Sequence, residues 1–197
     1  MIYPTISQRV QQRRLFLAAV AMLAGCSGHS SIQKDYDPAA VGSAALSAFD
    51  ANGDGQLDEG ELQACPAIQS ALERIDANQD GMLEASEIAD RVAAYADMSD
   101  YIVAQVLVKL GNQPVSGAQV KLTLADYMRA QPTSFVAATN ASGVGFPRSD
   151  PEGLLGFPLG FYDVEVSHAG EKWNFGVEMA DDNPLVNQLQ FDLKNKS

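Results

Sequence analysis

Two twelve-residue windows constrain this 197-residue chain more than any other feature in it. The first is Asp50-Ala51-Asn52-Gly53-Asp54-Gly55-Gln56-Leu57-Asp58-Glu59-Gly60-Glu61. The second is Asp76-Ala77-Asn78-Gln79-Asp80-Gly81-Met82-Leu83-Glu84-Ala85-Ser86-Glu87, 26 residues further on. Oxygen-bearing side chains fall at positions 1, 3, 5, 9 and 12 of both, with glycine at position 6. A hard divalent cation such as calcium takes six to eight oxygens, and a loop of this spacing wraps one ion. Positions 1, 3 and 5 supply Asp50, Asn52, Asp54 and Asp76, Asn78, Asp80. Position 7 supplies a backbone carbonyl, so Gln56 and Met82 can differ in side chain. Asp58 and Glu84 at position 9 act through a water, and Glu61 and Glu87 are long enough to offer both oxygens. The pattern predicts two calcium ions.

The windows resemble the loops of an EF-hand pair. In that family Leu57 and Leu83, at position 8, join the loops by a short β-contact. The flanks read as helices. Asp37-Pro38 is an N-cap followed by proline at the first helical position, and Val41, Ala45, Leu46 and Phe49 share one face. Dockerin loops are similar, but they lack entering helices and usually end in aspartate. Only 14 residues separate Glu61 from Asp76, about ten fewer than is usual in an EF-hand pair, and Pro66 is expected to break that stretch. So short a linker leaves little room for a target-gripping groove and favours a stabilising role for calcium. Residues 35–100 carry 15 acidic and two basic residues. Without cations these carboxylates repel one another.

The N-terminus reads as an export signal. Arg9, Arg13 and Arg14 precede a short apolar stretch from Leu15 to Leu23. Leu23-Ala24-Gly25-Cys26 then resembles the lipobox of bacterial lipoproteins, which implies cleavage after residue 25 and acylation of Cys26. Ser27 after the cysteine, rather than aspartate, favours the outer membrane if the cell is Gram-negative. Arg13-Arg14-Leu15-Phe16-Leu17 looks like a twin-arginine signal, with the general secretory route as the alternative. Residues 26–36 form a polar, lipidated tether.

From Tyr101 onward the pattern alternates with period two, giving strands near 102–109, 118–124, 133–139, 143–147, 160–168, 171–178 and 187–194. Turn signals separate them. Seven short strands predict a sandwich of two antiparallel sheets. Val106-Leu107-Val108, Gly111, Pro114, Val115, Gly117, Ala118, Val120, Thr139, Gly143, Pro158, Gly160, Tyr162 and Val164 carry a resemblance to the carboxypeptidase regulatory-like, or transthyretin-like, sandwich. Members bearing that name are not themselves peptidases and serve as folding, spacing or binding modules. The whole order also resembles a group of small bacterial lipoproteins.

The expected fold is therefore α+β by segregated domains. Residues 1–25 are a signal peptide and 26–36 a tether; an all-α pair at 37–98 precedes an all-β seven-stranded sandwich at 101–197. The two are expected to fold independently, with calcium acting on the first alone. A formal net charge of −12 argues against sequence-independent nucleic-acid binding. The apolar run at 15–24 is about half of what a spanning helix needs. His168 and Cys65 have no evident catalytic partners, and no enzyme is expected. Asp181-Asp182 and Asp150-Pro151-Glu152 read as acidic loops, and Tyr162, Trp173 and Phe175 as core or half-buried aromatics. The expected protein is a non-catalytic, calcium-binding lipoprotein of the cell envelope, held at a membrane through Cys26. The alternative is an adhesion or ligand-binding module whose β surface takes an envelope protein or a glycan.

Overall fold

A computed structural model of the chain describes residues 36–128, 133–149 and 156–194. The expected signal peptide at 1–25, Cys26, the expected tether up to residue 35 and Asp150-Pro151-Glu152 lie outside the described residues. What is described falls within one compact unit.

The helical part opens with α1, Pro38–Phe49, whose first turn is capped by the Asp37 carboxylate accepting from the Ala40 N–H at 3.2 Å. The first loop follows, with the two-residue strand β1, Gln56–Leu57, and the one-turn helix α2, Glu59–Leu62. The linker is broken as Pro66 predicts, because proline lacks the N–H that would continue a helix. It forms two single turns, α3 at Pro66–Gln69 and α4 at Leu72–Ile75. The second loop ends in β2, Leu83–Glu84, and the exiting helix α5, Ala85–Ala94. Helix α1 crosses α5 so closely that a Cβ at Gly42 would overlap the Ala85 carbonyl oxygen.

The β-rich part contains β3 (Tyr101–Ile102), β4 (Gln105–Leu110), β5 (Gln113–Pro114), β6 (Gln119–Leu124), β7 (Ser134–Ala138) and β8 (Val144–Gly145). It continues with β9 (Phe157–Pro158), β10 (Gly160–His168), β11 (Glu171–Met179) and β12 (Gln188–Asp192). One sheet has the order β11-β10-β6-β7, all antiparallel. A second has β12-β4-β5, with β8 also on β4. One pairing differs from expectation. Strand β12 runs parallel to β4, matching Leu189 to Val106 and Phe191 to Val108. Alternation identifies a strand but carries no information on its direction. The segment after Met179 enters the second sheet alongside its first long strand rather than returning as a hairpin.

Side chains of both sheets meet in a common interior, where Phe175 of β11 and Phe191 of β12 stand 5.2 Å apart between ring centroids. Tyr162, Val164 and Val166 share the inward face and are fully buried. The opposite face of the same sheet is polar at Asp163, Glu165 and Ser167, yet buried at Phe161. The helices cover that end. Phe161 packs 6.3 Å from the Tyr95 ring and 6.1 Å from the Tyr127 ring, and Phe49 of α1 meets Tyr127 edge-on at 5.8 Å. Buried residues of the helical and β-rich parts belong to one continuous cluster. The independence expected of the two parts is thus not what the packing shows: each uses the other to bury apolar surface.

Candidate metal centre

Each loop is organised by its own carboxylates. In the first, Asp50 accepts the Gly53 N–H at 2.7 Å on Oδ1 and the Gly55 N–H at 3.0 Å on Oδ2. Asn52 Oδ1 accepts from Asp54 N at 2.8 Å, and Asp54 Oδ1 from Gln56 N at 3.0 Å. Glu61 reaches back across the loop, its Oε1 accepting from the N–H groups of Ala51 and Asn52 at 2.8 and 3.1 Å. Its Oε2 accepts from Asp58 N at 3.1 Å, while Asp58 Oδ1 caps α2 by accepting from Gly60 and Glu61 N–H groups. Asp58 is therefore a helix cap before it is anything else.

The second loop repeats this arrangement. Asp76 Oδ1 accepts from Gln79 N at 2.6 Å and Oδ2 from Gly81 N at 2.9 Å. Asn78 accepts from Asp80 N, and Asp80 from Met82 N, at 2.8 and 2.9 Å. Glu87 accepts from Ala77 N at 3.1 Å and Glu84 N at 3.0 Å. Gly55 and Gly81 turn the chain at φ +89° and +82°, where a side chain would be strained. Leu57 pairs with Leu83 and Gln56 with Glu84 in the strand contact that joins the loops. The Gln56 Nε2 group also donates to Glu84 Oε1 at 3.3 Å.

The donor set suits calcium. Every candidate ligand offers oxygen, and an ionised carboxylate has about four acceptor sites. The backbone N–H groups fill two of them at Asp50 and three at Glu61. Among the described residues, no group of three or more His, Cys, Asp or Glu side chains is gathered as a metal cluster. The loop carboxylates are instead spread along the backbone that they orient, with asparagine and carbonyl oxygens between them.

The other sequence candidates are placed as follows. Cys65 is buried, its thiol donating to the Glu61 carbonyl at 3.7 Å. Burial first, and the charges of Asp163 and Glu61 second, push that thiol up to about 12. His168 ends β10. Tyr162 donates to the Pro158 carbonyl at 2.9 Å, and Trp173 and Phe175 are half-buried. Asp163 and Asp126 line an open cleft beside Phe49 and Tyr127, and the Asp163 carboxyl is raised, by desolvation first and by Asp126 second.

Sequence reasoning missed the residues that fasten the loops to the β-rich part. Glu178 of β11 has a side chain with 0% exposure. Arg74 donates from Nε to its Oε2 at 2.8 Å, and Arg91 donates from Nε to its Oε1. Tyr95 donates its hydroxyl to Oε1 at 2.8 Å. Asp182 takes the other two Arg91 nitrogens at 2.7 and 2.6 Å. Burial opposes the Arg91 charge, but the hydrogen bonds that it donates to Asp182 and Glu178 outweigh it and raise its pKa. The Arg91 hydrogen bond holds the Asp182 carboxyl below its usual value. One signal was present in the sequence: Arg74 and Arg91 are the only basic residues between 35 and 100.

Comparison with known proteins adds three findings. Residues 43–66 and 68–92 match the family model described as EF hand. No curated protein matches the chain. Among solved structures, the crystal structure of (S)-allantoin synthase aligns with a TM-score of 0.33 and 16% identity, over 76% of this chain and 62% of that one. A likeness that slight bears on neither fold nor activity. Residues 43–92 thus hold an EF-hand pair, the family match points to calcium binding, and a β-rich region follows.

Proposed function

We propose that the protein is an exported, membrane-anchored lipoprotein that binds two calcium ions and has no catalysis of its own. Asp50, Asn52, Asp54, Glu61 and the Gln56 carbonyl hold one ion. Asp76, Asn78, Asp80, Glu87 and the Met82 carbonyl hold the other. Asp58 and Glu84 contribute through water. A bound ion supplies positive charge at the centre of each loop and so relieves the repulsion among its carboxylates. Calcium in this reading stabilises the fold. The two sheets form a carboxypeptidase regulatory-like sandwich that serves as the body on which the loops are mounted, and a lipid on Cys26 anchors the whole. The observation that carries the calcium reading is the pair of all-oxygen loops joined through Leu57 and Leu83.

Titration calorimetry on the mature chain carrying Cys26→Ser tests it. Two calcium ions per chain are expected, with dissociation constants on the order of 10⁻⁶ to 10⁻³ M. Glu61→Gln with Glu87→Gln should abolish most of the heat, and an unchanged isotherm would refute the assignment. Retention of a Cys26→Ala variant in the membrane fraction would refute the anchor.

A second reading, an adhesion or ligand-binding module, draws support from Val136 and Phe146, which are 52% and 54% exposed on the β-rich part. Polar replacement of both, followed by binding to envelope glycans or proteins, separates the two readings.

A further inference from the structure

Resting on the calcium reading, we propose that Glu178 is a positioning residue for the second loop, holding its two flanks at the separation that calcium needs. The loop is closed by Asp76 at position 1, which follows α4, and by Glu87 at position 12, within α5. The distance between those carboxylates depends on how α4 and α5 are set relative to each other. Arg74 lies two residues before Asp76. Arg91 lies one helical turn beyond Glu87 on α5. The two arginines donate to different oxygens of the same carboxylate, and that carboxylate belongs to neither helix.

The geometry leaves little play. Glu178 is fully buried in a strand paired along its length with β10. A buried carboxylate that lost its partners would be costly, so each arginine is strongly retained. Tyr95, one further turn along, adds its hydroxyl to the same oxygen as Arg91. Asp182 grips the far side of the Arg91 guanidinium with two bonds. The Asn183 side-chain nitrogen donates to the Glu178 carbonyl at 2.8 Å, so the strand end is itself braced.

The same arrangement has an electrostatic consequence. Eight candidate-ligand carboxylates compete for any nearby cation, and Arg74 and Arg91 are the only two basic side chains in residues 35–100. Glu178 and Asp182 engage both guanidinium groups and keep them off the calcium ligands. By reciprocity, whatever Glu178 adds to calcium affinity at the second loop, calcium adds to the hold of α4 and α5 on β11.

The test isolates one loop at a time in the mature Cys26→Ser chain. With Glu61→Gln in place, only the second loop is left to bind. Arg74→Gln, at a side chain that is 22% exposed, should release one flank without unfolding the protein. Calcium affinity by calorimetry should fall about fivefold or more. Calcium should slow amide exchange in β11 of the parent and not of the variant, and Arg74→Lys should restore part of both effects. In the reciprocal Glu87→Gln background, Arg74→Gln should leave the first loop's affinity within about twofold. Unchanged affinity at the second loop overturns the proposal. Equal weakening of both loops also overturns it, since that is what general loosening would give. If the Glu61→Gln parent and the unmutated chain both bind no calcium, the calcium reading fails, and the positioning role fails with it. Glu178→Gln, where it folds, should weaken the second loop more than Arg74→Gln.

Discussion

Gly176 of β11 lies against Ala67 of α3 with no room between them: a Cβ at Gly176 would overlap the Ala67 backbone nitrogen and the Pro66 carbonyl carbon. The linker between the two loops rests directly on the sheet, and the absent side chain permits it. Gly176→Val should therefore push α3 away and destabilise the whole molecule by about 1–3 kcal/mol, the usual range for overpacking. Urea unfolding measures it. A loss under about 0.5 kcal/mol, the size of an ordinary surface change, would mean that the contact is dispensable.

Calcium removal should lower one shared transition. The buried cluster runs from α1 and α5 through Phe161 to the sheets, and Glu178 joins the parts with charge. At 100 times the dissociation constant, each site adds about 2.7 kcal/mol, which corresponds to roughly 5–10 °C for a domain of this size. Melting followed at helix- and strand-sensitive wavelengths, with chelator and with calcium, should give superimposable curves in each condition. A strand transition that ignores calcium would restore the independent modules that the sequence suggests.

Much of the candidate site's loop geometry was legible because its candidate ligands sit at fixed spacings within two short segments, where sequence and space nearly coincide. The cap at Asp37, the break at Pro66 and the Leu57–Leu83 contact were readable for the same reason. Glu178 was not. Within Glu171–Met179 it has the look of a polar residue on a solvated face, opposite Phe161 in the register. Only helices from about 90 residues earlier convert that face into an interior. The parallel partner of β4 was hidden likewise, since period-two alternation reads the same in either direction.

Cys65 should serve as a reporter of unfolding. With its pKa near 12 instead of the ordinary 9.0, the native thiol at pH 8 holds about a thousandth of the usual thiolate, the form that reacts. Labelling of the Cys26→Ser chain by a thiol reagent should proceed only through opening, and calcium should slow it. A folded-state pKa raised above the unfolded one stabilises fully below about pH 9. That contribution is lost as pH climbs toward about 12. Fast labelling of the calcium-loaded protein at pH 8 would contradict this burial.

Asp182 should contribute to stability in the opposite pH direction. Its carboxyl is held below the ordinary 3.8 chiefly by the Arg91 hydrogen bond. A depressed folded-state pKa gives stability that is present above about pH 4 and lost as pH falls through the lower folded value. The side chain is 48% exposed, so solvent screening limits the gain to about 1 kcal/mol or less. Asp182→Asn should cost that amount at pH 7 and less at pH 3, the loss shrinking as the pH falls. Equal losses at both pH values would indicate a packing role without the charge.

The parallel pairing of Gln188–Asp192 with Gln105–Lys109 sets the order in which a newly made chain can fold. During synthesis, both calcium loops and their two arginines emerge long before Glu178 and β12. Until then β4 has no partner along the edge that β12 will take, and Arg74 and Arg91 have no buried carboxylate to meet. The sheet bearing β4 is completed only when residues 188–192 are available, and non-local closure of this kind is slow. A nascent chain halted before Gln188 would remain open to proteases, whereas a chain that includes β12 closes around the calcium loops in one late step.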